Sequence, residues 1–436
     1  MTAPRRRLRV TVRAWFFLGA SLACLFAAYA GALPELLYVA LLLAALPIGA
    51  TWYVWAGRPR FDVSRSFAPH IIPAGSTAHV ALVITNLSRA RSRRAHWVDL
   101  APWASDAEGD LPALQPRGSR YSSRGSWARF EYELRPPRRG VFTIGPLAIE
   151  TGDAFGFATA VSEVGEQQQI IVTPETVALA DSGLSATAGD GESRVVQRKS
   201  AGDEDDTMTR EYRAGDAMRR VHWRASARRG ELMVRQEEQR SLPEARILID
   251  TELRGYADTE SMDAETESPA FEWVVRMLAS VTVHMRRSGF IVGIEETAEP
   301  QITGLGLKRQ RTWGDEEFLT GLASLALVDS ENPRGRGRAG GVNGPVIAIV
   351  GTPHPDTIDW LVAQRRPGEL AVAFMVRDLS AVDEINRSFG VGSSAPLVAE
   401  RLANSGWIVV PVRADDDHAA AWEAVVFETG RSRAGS

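Results

Sequence analysis

Cysteine is nearly absent from this sequence. The one thiol, Cys24, lies inside an apolar run, so the rest of the chain can form no internal disulfide, thiolate metal cluster or nucleophilic thiol. An excess of charge is missing too: 50 Lys and Arg against 54 Asp and Glu leave a formal charge of −4. No global field therefore draws the protein to nucleic acid, and no nucleic-acid partner is expected. Neither a P-loop nor a dinucleotide-binding glycine pattern occurs. The histidines are scattered, without a zinc-type pair or the spacing of a Ser–His–acid triad. With 436 residues the chain is long enough for two or three units, each burying its own core.

Long hydrophobic runs are present. No charged residue falls between Ala14 and Leu33 or between Leu36 and Gly57. About 20 helical residues cover the roughly 30 Å hydrocarbon core, so each run is long enough for a transmembrane helix. Only Pro34 and Glu35 separate them, and Trp15, Trp52, Tyr53 and Trp55 stand near the span ends, where amphipathic rings prefer the interface. Arg5, Arg6, Arg7, Arg9 and Arg13 precede the first span, and Arg58, Arg60 and Arg65 follow the second, with no basic residue between the spans. This bias predicts a two-pass hairpin in the cell membrane with both ends, and the whole soluble body, in the cytoplasm. The competing reading is a cleaved signal peptide, for which Ala28-Tyr29-Ala30 offers a small-x-small site. The length of the first run and the immediate second span favour the hairpin.

The chain divides into four parts: a basic start with two spans (1–60, helices about 14–33 and 36–57), a β-sandwich (61–178), an acidic connection with an arginine-rich segment (179–240), and an α/β unit (241–436). Two-periodic stretches such as 79–85, 130–134 and 140–144, separated by turn formers, predict the antiparallel sandwich. Beyond Pro243, apolar strands alternate with helical patterns (a helix over 271–286, for example), which predicts a doubly wound, mostly parallel sheet covered on both faces.

The most distinctive stretch, Arg210–Glu238, carries eight arginines against five acids. Asp216 is expected to cap a short helix ended by Gly230. Arg219, Arg220, Trp223, Ala227 and Arg228 would share a face of that helix, able to grip an anion or an acidic partner. Alternatively, the arginines pair with neighbouring acids, Asp203-Glu204-Asp205-Asp206 included, around a core Trp223.

This segment resembles the signature of the domain of unknown function 58 family, with Arg210, Tyr212, Gly215-Asp216, Arg219, Trp223, Ala227-Arg228 and Leu232 at matching positions. Arg139-Gly140-Val141-Phe142, Gly145-Pro146-Leu147 and Asp153-Ala154-Phe155-Gly156 resemble an element of the same family. The resemblance implies a membrane protein that acts with a MoxR-type AAA+ ATPase, has no established reaction, and carries a von Willebrand factor A-like α/β domain at its C-terminal end. The metal turn of such a domain reads Asp-x-Ser-x-Ser, whereas this chain has Asp250-Thr251-Glu252-Leu253-Arg254. Asp250 is the candidate metal ligand, but both serines are replaced and Arg254 brings a cation, so no resident cofactor, Mg²⁺ included, is expected.

Three bland features complete the reading. Asp415-Asp416-Asp417-His418 caps a helix, His222 is structural, and Arg334–Arg338 is a solvated loop. The function expected is a membrane-anchored, non-catalytic scaffold or adaptor in assembly or maturation of cell-envelope or other protein complexes. Its partner surface comprises Arg210, Tyr212, Asp216, Arg219, Arg220, Trp223, Arg224 and Arg228. The alternatives are a metal-dependent enzyme centred on Asp250, with Asp216 and His222 as acid and base, and an extracellular adhesion module.

Overall fold

A short strand, β1 (Arg6–Val10), comes ahead of the first long helix, α1 (Val12–Ala30), and the chain returns as α2 (Glu35–Ala56). The structure, a computed structural model, describes residues 6–31, 33–57, 60–103, 107–117, 125–181, 209–212, 218, 221–235, 243–256, 268–302, 314–329, 344–377 and 394–434. They fall into two compact units, Met1–Pro174 and Glu175–Ser436.

α1 and α2 are each long and apolar enough to cross a membrane, and only 6% and 17% of their most apolar windows are buried. A core helix of a soluble protein would bury that surface instead. Pro34 stands at the N-cap of α2 and Glu35 is already its first residue, so the break is nearer Gly31–Pro34 than Pro34–Glu35.

The first unit continues as β2 (Phe61–Ala68), β3 (Ile71–Pro73), β4 (Ala78–Asn86), β5 (Ala95–Asp99), β6 (Glu108–Leu111), β7 (Trp127–Leu134), β8 (Gly140–Ile144), β9 (Leu147–Gly152), β10 (Ala158–Val164) and β11 (Gln168–Thr173). Three sheets form, ordered β1-β10-β9-β5-β6, β2-β4-β7 and β3-β11-β8. Every pairing in them is antiparallel except β3 with β11. Alternation does the sorting: every second residue of β4 is buried, and Leu82 and Ile84 meet Trp97, Leu147 and Ile149 from the facing sheet.

One polar cluster is sealed into that interior. Arg65 on β2 and Asp99 on β5 form a two-pronged ion pair, Nε–Oδ2 and Nη2–Oδ1 both 2.7 Å, with side chains 1% and 0% exposed. Tyr132 donates to Asp99 Oδ2 at 2.5 Å, and burial first, then the Asp99 charge, holds its phenol above the usual tyrosine range. Arg65 is thus no surface charge flanking the second span. Gly145 has φ +91°, and its Cα lies so near the guanidinium that a Cβ there would meet Arg65 Nη2 at 2.9 Å.

The second unit begins with Glu175, whose carboxylate pairs with Arg276 at 2.6 Å. Val177 N–H donates to Ser280 Oγ, and Trp422 Nε1 donates to Ala180 O. Its elements are β12 (Thr209–Glu211), α3 (Trp223–Arg229), β13 (Met233–Arg235), β14 (Glu244–Ile249), α4 (Pro269–Arg287), β15 (Ile291–Glu296), α5 (Asp315–Ala323), β16 (Val346–Val350), α6 (Pro355–Gln364), β17 (Ala371–Arg377), α7 (Ser394–Asn404), β18 (Ile408–Arg413) and α8 (His418–Ala434). β12 and β13 make a small antiparallel pair. The other five strands form one parallel sheet ordered β15-β14-β16-β17-β18. Its strands are buried on both sides: Ile247, Ile249 and Phe374 pack with α4 and α8, while Leu248, Ala348 and Met375 pack with α6 and α7. This is the α/β region that the alternating pattern predicts. The order reverses beside β14, so the carboxyl ends of β14 and β16 flank the topological switch point, where doubly wound sheets gather ligands.

Candidate functional site

At the switch point β14 ends and Asp250 follows at once, 1% exposed. Its Oδ1 accepts the Thr297 hydroxyl at 2.6 Å and the Glu252 N–H at 3.2 Å. The same hydroxyl accepts Thr251 N–H at 3.0 Å, and Tyr256 donates to the Asp250 carbonyl at 2.7 Å. Gly255 lets the turn fold back: a Cβ there would collide with the Asp250 carboxylate, and its carbonyl accepts Thr352 N–H from the loop after β16. Residues 251–253 also bond across to Val328.

Charge at this turn is balanced from within. Glu252 has a side chain only 2% exposed, and Arg254 Nε donates to its Oε2 at 2.6 Å. That hydrogen bond raises the guanidinium's pKa against the opposing effect of burial, and the charges of Glu252, Asp356 and Asp250 act in the same direction. A divalent ion needs several hard oxygens with lone pairs free. Here one Asp250 oxygen is committed to Thr297 and the Glu252 N–H, and a guanidinium already neutralises Glu252. The turn does not fit a resident Mg²⁺, and among the described residues no group of three or more His, Cys, Asp or Glu could hold a metal ion. At the end of β15, burial lifts the Glu296 carboxyl, against the pull of the Gln301 and Ile302 N–H groups it accepts. Sequence reasoning missed Thr297, because a threonine after an apolar strand carries no signal until the sheet sets it beside Asp250.

The arginine-rich segment is a separate small structure. Tyr212 N–H donates to Leu232 O, His222 N–H to Met233 O, and Val221, Met233 and Val234 are buried. α3 starts at Trp223, later than expected. His222 is its cap: Nδ1 accepts Ala225 N–H at 3.1 Å, while Gly230, φ +77°, ends the helix as anticipated. Asp216, Arg219 and Arg220 lie outside the described residues, so the expected helical face reduces to Trp223, Arg224, Ala227 and Arg228. All four are exposed, Trp223 by 65%. A core role for Trp223 is therefore corrected: Val221, Met233 and Val234 supply the apolar filling instead. Arg210 stands on β12, paired in register with Val234.

Asp417 Oδ2 accepts Ala420 N–H at 3.2 Å and so caps α8, while Asp416 Oδ2 accepts Arg413 N–H at 2.8 Å and closes the turn ahead of the helix. Segments 182–208 and 330–343, which include the acidic connection and Arg334–Arg338, lie outside the described residues.

Among known proteins, no curated one matches. The CARDB domain of the PF1109 protein from Pyrococcus furiosus aligns at 10% identity over 27% of this chain and 96% of that one, with a TM-score of 0.20. The Pseudomonas fluorescens alkylpurine DNA glycosylase AlkC aligns at 10% identity over 24% and 30%, TM-score 0.16. A Paenibacillus cycloisomaltooligosaccharide glucanotransferase aligns at 10% over 80% and 53%, TM-score 0.17. Likeness this slight carries no argument. The match that bears on the site lies in sequence: residues 208–303, from the arginine-rich hairpin through Asp250 and Thr297, match the family described as "Protein of unknown function DUF58", which supports the resemblance seen in the signature residues.

Proposed function

We propose that the protein is a membrane-anchored, non-catalytic scaffold: a two-pass hairpin welded to a β-rich unit, followed by a von Willebrand factor A-like region and an arginine-rich hairpin that engage protein partners. The observation that carries this reading is the pairing of β1 with β10. Arg6–Val10, ahead of α1, runs antiparallel to Ala158–Ser162, far beyond α2, from Arg6↔Ser162 to Val10↔Ala158. A strand cannot pair through a bilayer, so if α1 and α2 span the membrane, both outer ends emerge on one side. The pairing also disfavours the signal peptide, because cleavage after Ala30 would strip an edge strand from the sheet.

The arginines before α1 favour the cytoplasm for that side. Protease digestion of inside-out vesicles tests it: the β-rich unit should be cut, and protection would reverse the orientation and revive an extracellular role. The metal-enzyme reading is disfavoured by the Arg254–Glu252 pair and by His222, whose Nδ1 is spent on a helix cap.

For the partner, exposed Trp223 beside Arg224 and Arg228 offers an aromatic and cationic patch, the composition that dominates interface hot spots. The family resemblance makes a MoxR-type AAA+ ATPase the partner to try. In a binding assay with the purified ATPase, Trp223→Ala should weaken capture at least tenfold while leaving thermal stability unchanged. Undiminished capture by Trp223→Ala and by the triple change of Arg219, Arg220 and Arg224 to Ala would remove the proposed role of this surface.

A further inference from the structure

The turn 153–156 lies against the foot of the membrane helices. Asp153 builds it: Oδ1 accepts Phe155 N–H at 2.7 Å, Oδ2 accepts Ala158 N–H at 2.6 Å, and Gly156 takes φ +73°, which closes the β9–β10 hairpin. The chain entering α1 is bolted to this turn. Thr11 Oγ1 donates to Gly156 O at 2.7 Å, Thr11 N–H donates to Phe157 O, and Arg13 Nη1 donates to Phe155 O at 2.9 Å.

Apolar contacts continue the joint upward. Phe157 packs edge-on against Phe17 of α1, ring centroids 4.8 Å apart, and clusters with Ala14 and with Leu46 and Ala50 of α2. Val54 of α2 meets Ala158 and Ala160. On the other flank, Arg93 donates to Tyr53 O at 3.1 Å and stacks on the Tyr53 ring 3.6 Å from its centroid. The turn is therefore level with the first turns of α1 and the last turns of α2, the zone of Trp15, Trp52 and Trp55.

Phe155 departs from this order. It is 57% exposed although it stacks beside buried Phe157 at 5.9 Å, and exposed Arg13 holds its carbonyl. We propose that this turn is a membrane-insertion element: Phe155 enters the boundary between headgroups and acyl chains beside α1, while Arg13 and Arg93 meet lipid phosphates. The occupant of this surface is the phospholipid layer that receives the spans. Its support is continuity with the two apolar helices and the pairing of an exposed aromatic ring with cations, the makeup of interfacial anchors. The element locks the β-rich unit against the bilayer surface in place of letting it swing on a linker.

The proposal rests on membrane insertion of α1 and α2, and its test separates the two. Cys24→Ser gives a cysteine-free full-length chain, into which a single cysteine at Phe155, Ala154 or Gln167 is introduced and labelled with an environment-sensitive fluorophore. Gln167 lies in the exposed turn at the opposite end of β10. The proteins are reconstituted in phosphatidylcholine and phosphatidylglycerol vesicles and floated. Floating protein with blue-shifted emission at 155 and 154, quenched by shallow spin-labelled lipid, and water-like emission at 167 is the expected result. Floating protein whose 155 and 154 probes read like 167 would overturn the insertion and leave the anchor standing. Protein that fails to float overturns both.

Discussion

Replacing Asp99 should unfasten the interior of the β-rich unit. Arg65 loses both 2.7 Å carboxylate bonds in a site where its side chain is 1% exposed, and water has no access to take their place. The bond from Nη1 to Glu166 O, 3.0 Å, remains but supplies no countercharge. Breaking a buried pair in this way costs about 3–5 kcal/mol, and the Tyr132 hydroxyl, which also loses its acceptor, adds about 1. Hydrogen exchange of the full-length protein in detergent reads the loss locally: at about 1.4 kcal/mol per decade, amides of β2, β5 and β7 in Asp99→Ala should exchange roughly 10³- to 10⁴-fold faster. Asp99→Asn should behave similarly, since its amide sets a donor against a donor. The pair is a fastening rather than a net source of stability, so Arg65→Met with Asp99→Leu should exchange more slowly than either single variant. An Asp99→Ala protein with wild-type protection in these strands, or a double variant that adds the two single losses, would refute the reasoning.

Acid should loosen the α/β unit through two imidazoles, the buried His418 and the half-buried His284. His418, stacked on Trp273 at 4.6 Å with Nε2 against Trp273 O, and His284, edge-on to Trp422, are both held below their ordinary range, chiefly by burial. A depressed pKa means the unfolded chain binds the proton more readily. The stability is therefore intact above about pH 6.5 and lost as pH falls below it, by at most about 1.4 kcal/mol per pH unit for each histidine. His418→Gln should flatten the fall in melting temperature between about pH 7 and 5, and an unchanged slope would exclude His418. Asp250→Ala orphans the Thr297 hydroxyl and the Glu252 N–H and should cost about 1–3 kcal/mol in thermal denaturation. Calorimetric titration with Mg²⁺ should give no heat that depends on Asp250, and tight uptake abolished by Asp250→Ala would reverse the reading of that turn.

Elements whose signal is local were legible in the sequence. Two uncharged runs announce α1 and α2, alternation in 79–85 announces β4, and β14 and β16 read as apolar on both faces because helices cover both sides of the sheet. What the sequence hid depends on distant partners. Leu8-Arg9-Val10 looks like a topogenic basic tail until Thr159 and Ala160 stand beside it as a sheet edge. Arg65 looks like another flanking charge until Asp99 is found across the core. The Asp-Ala-Phe-Gly stretch was recognisable as a family element, but its meaning as a joint to the helices is written in Thr11 and Arg13, some 140 residues earlier. Asp250 was found from its place after a strand; Thr297 had to be brought by the sheet.

β1 lies against β10, and the proposed hairpin requires that it do so while α1 and α2 cross the bilayer. Arg9 and Thr159 face each other in that register, and an antiparallel pair sets Cα atoms about 4.5–5.5 Å apart, within reach of a disulfide. In the Cys24→Ser background, Arg9→Cys with Thr159→Cys should cross-link within one chain when native membranes are oxidised, and both cysteines should label from the same face. Absence of the cross-link, with the two positions labelled from opposite faces, would contradict the hairpin and the scaffold built on it.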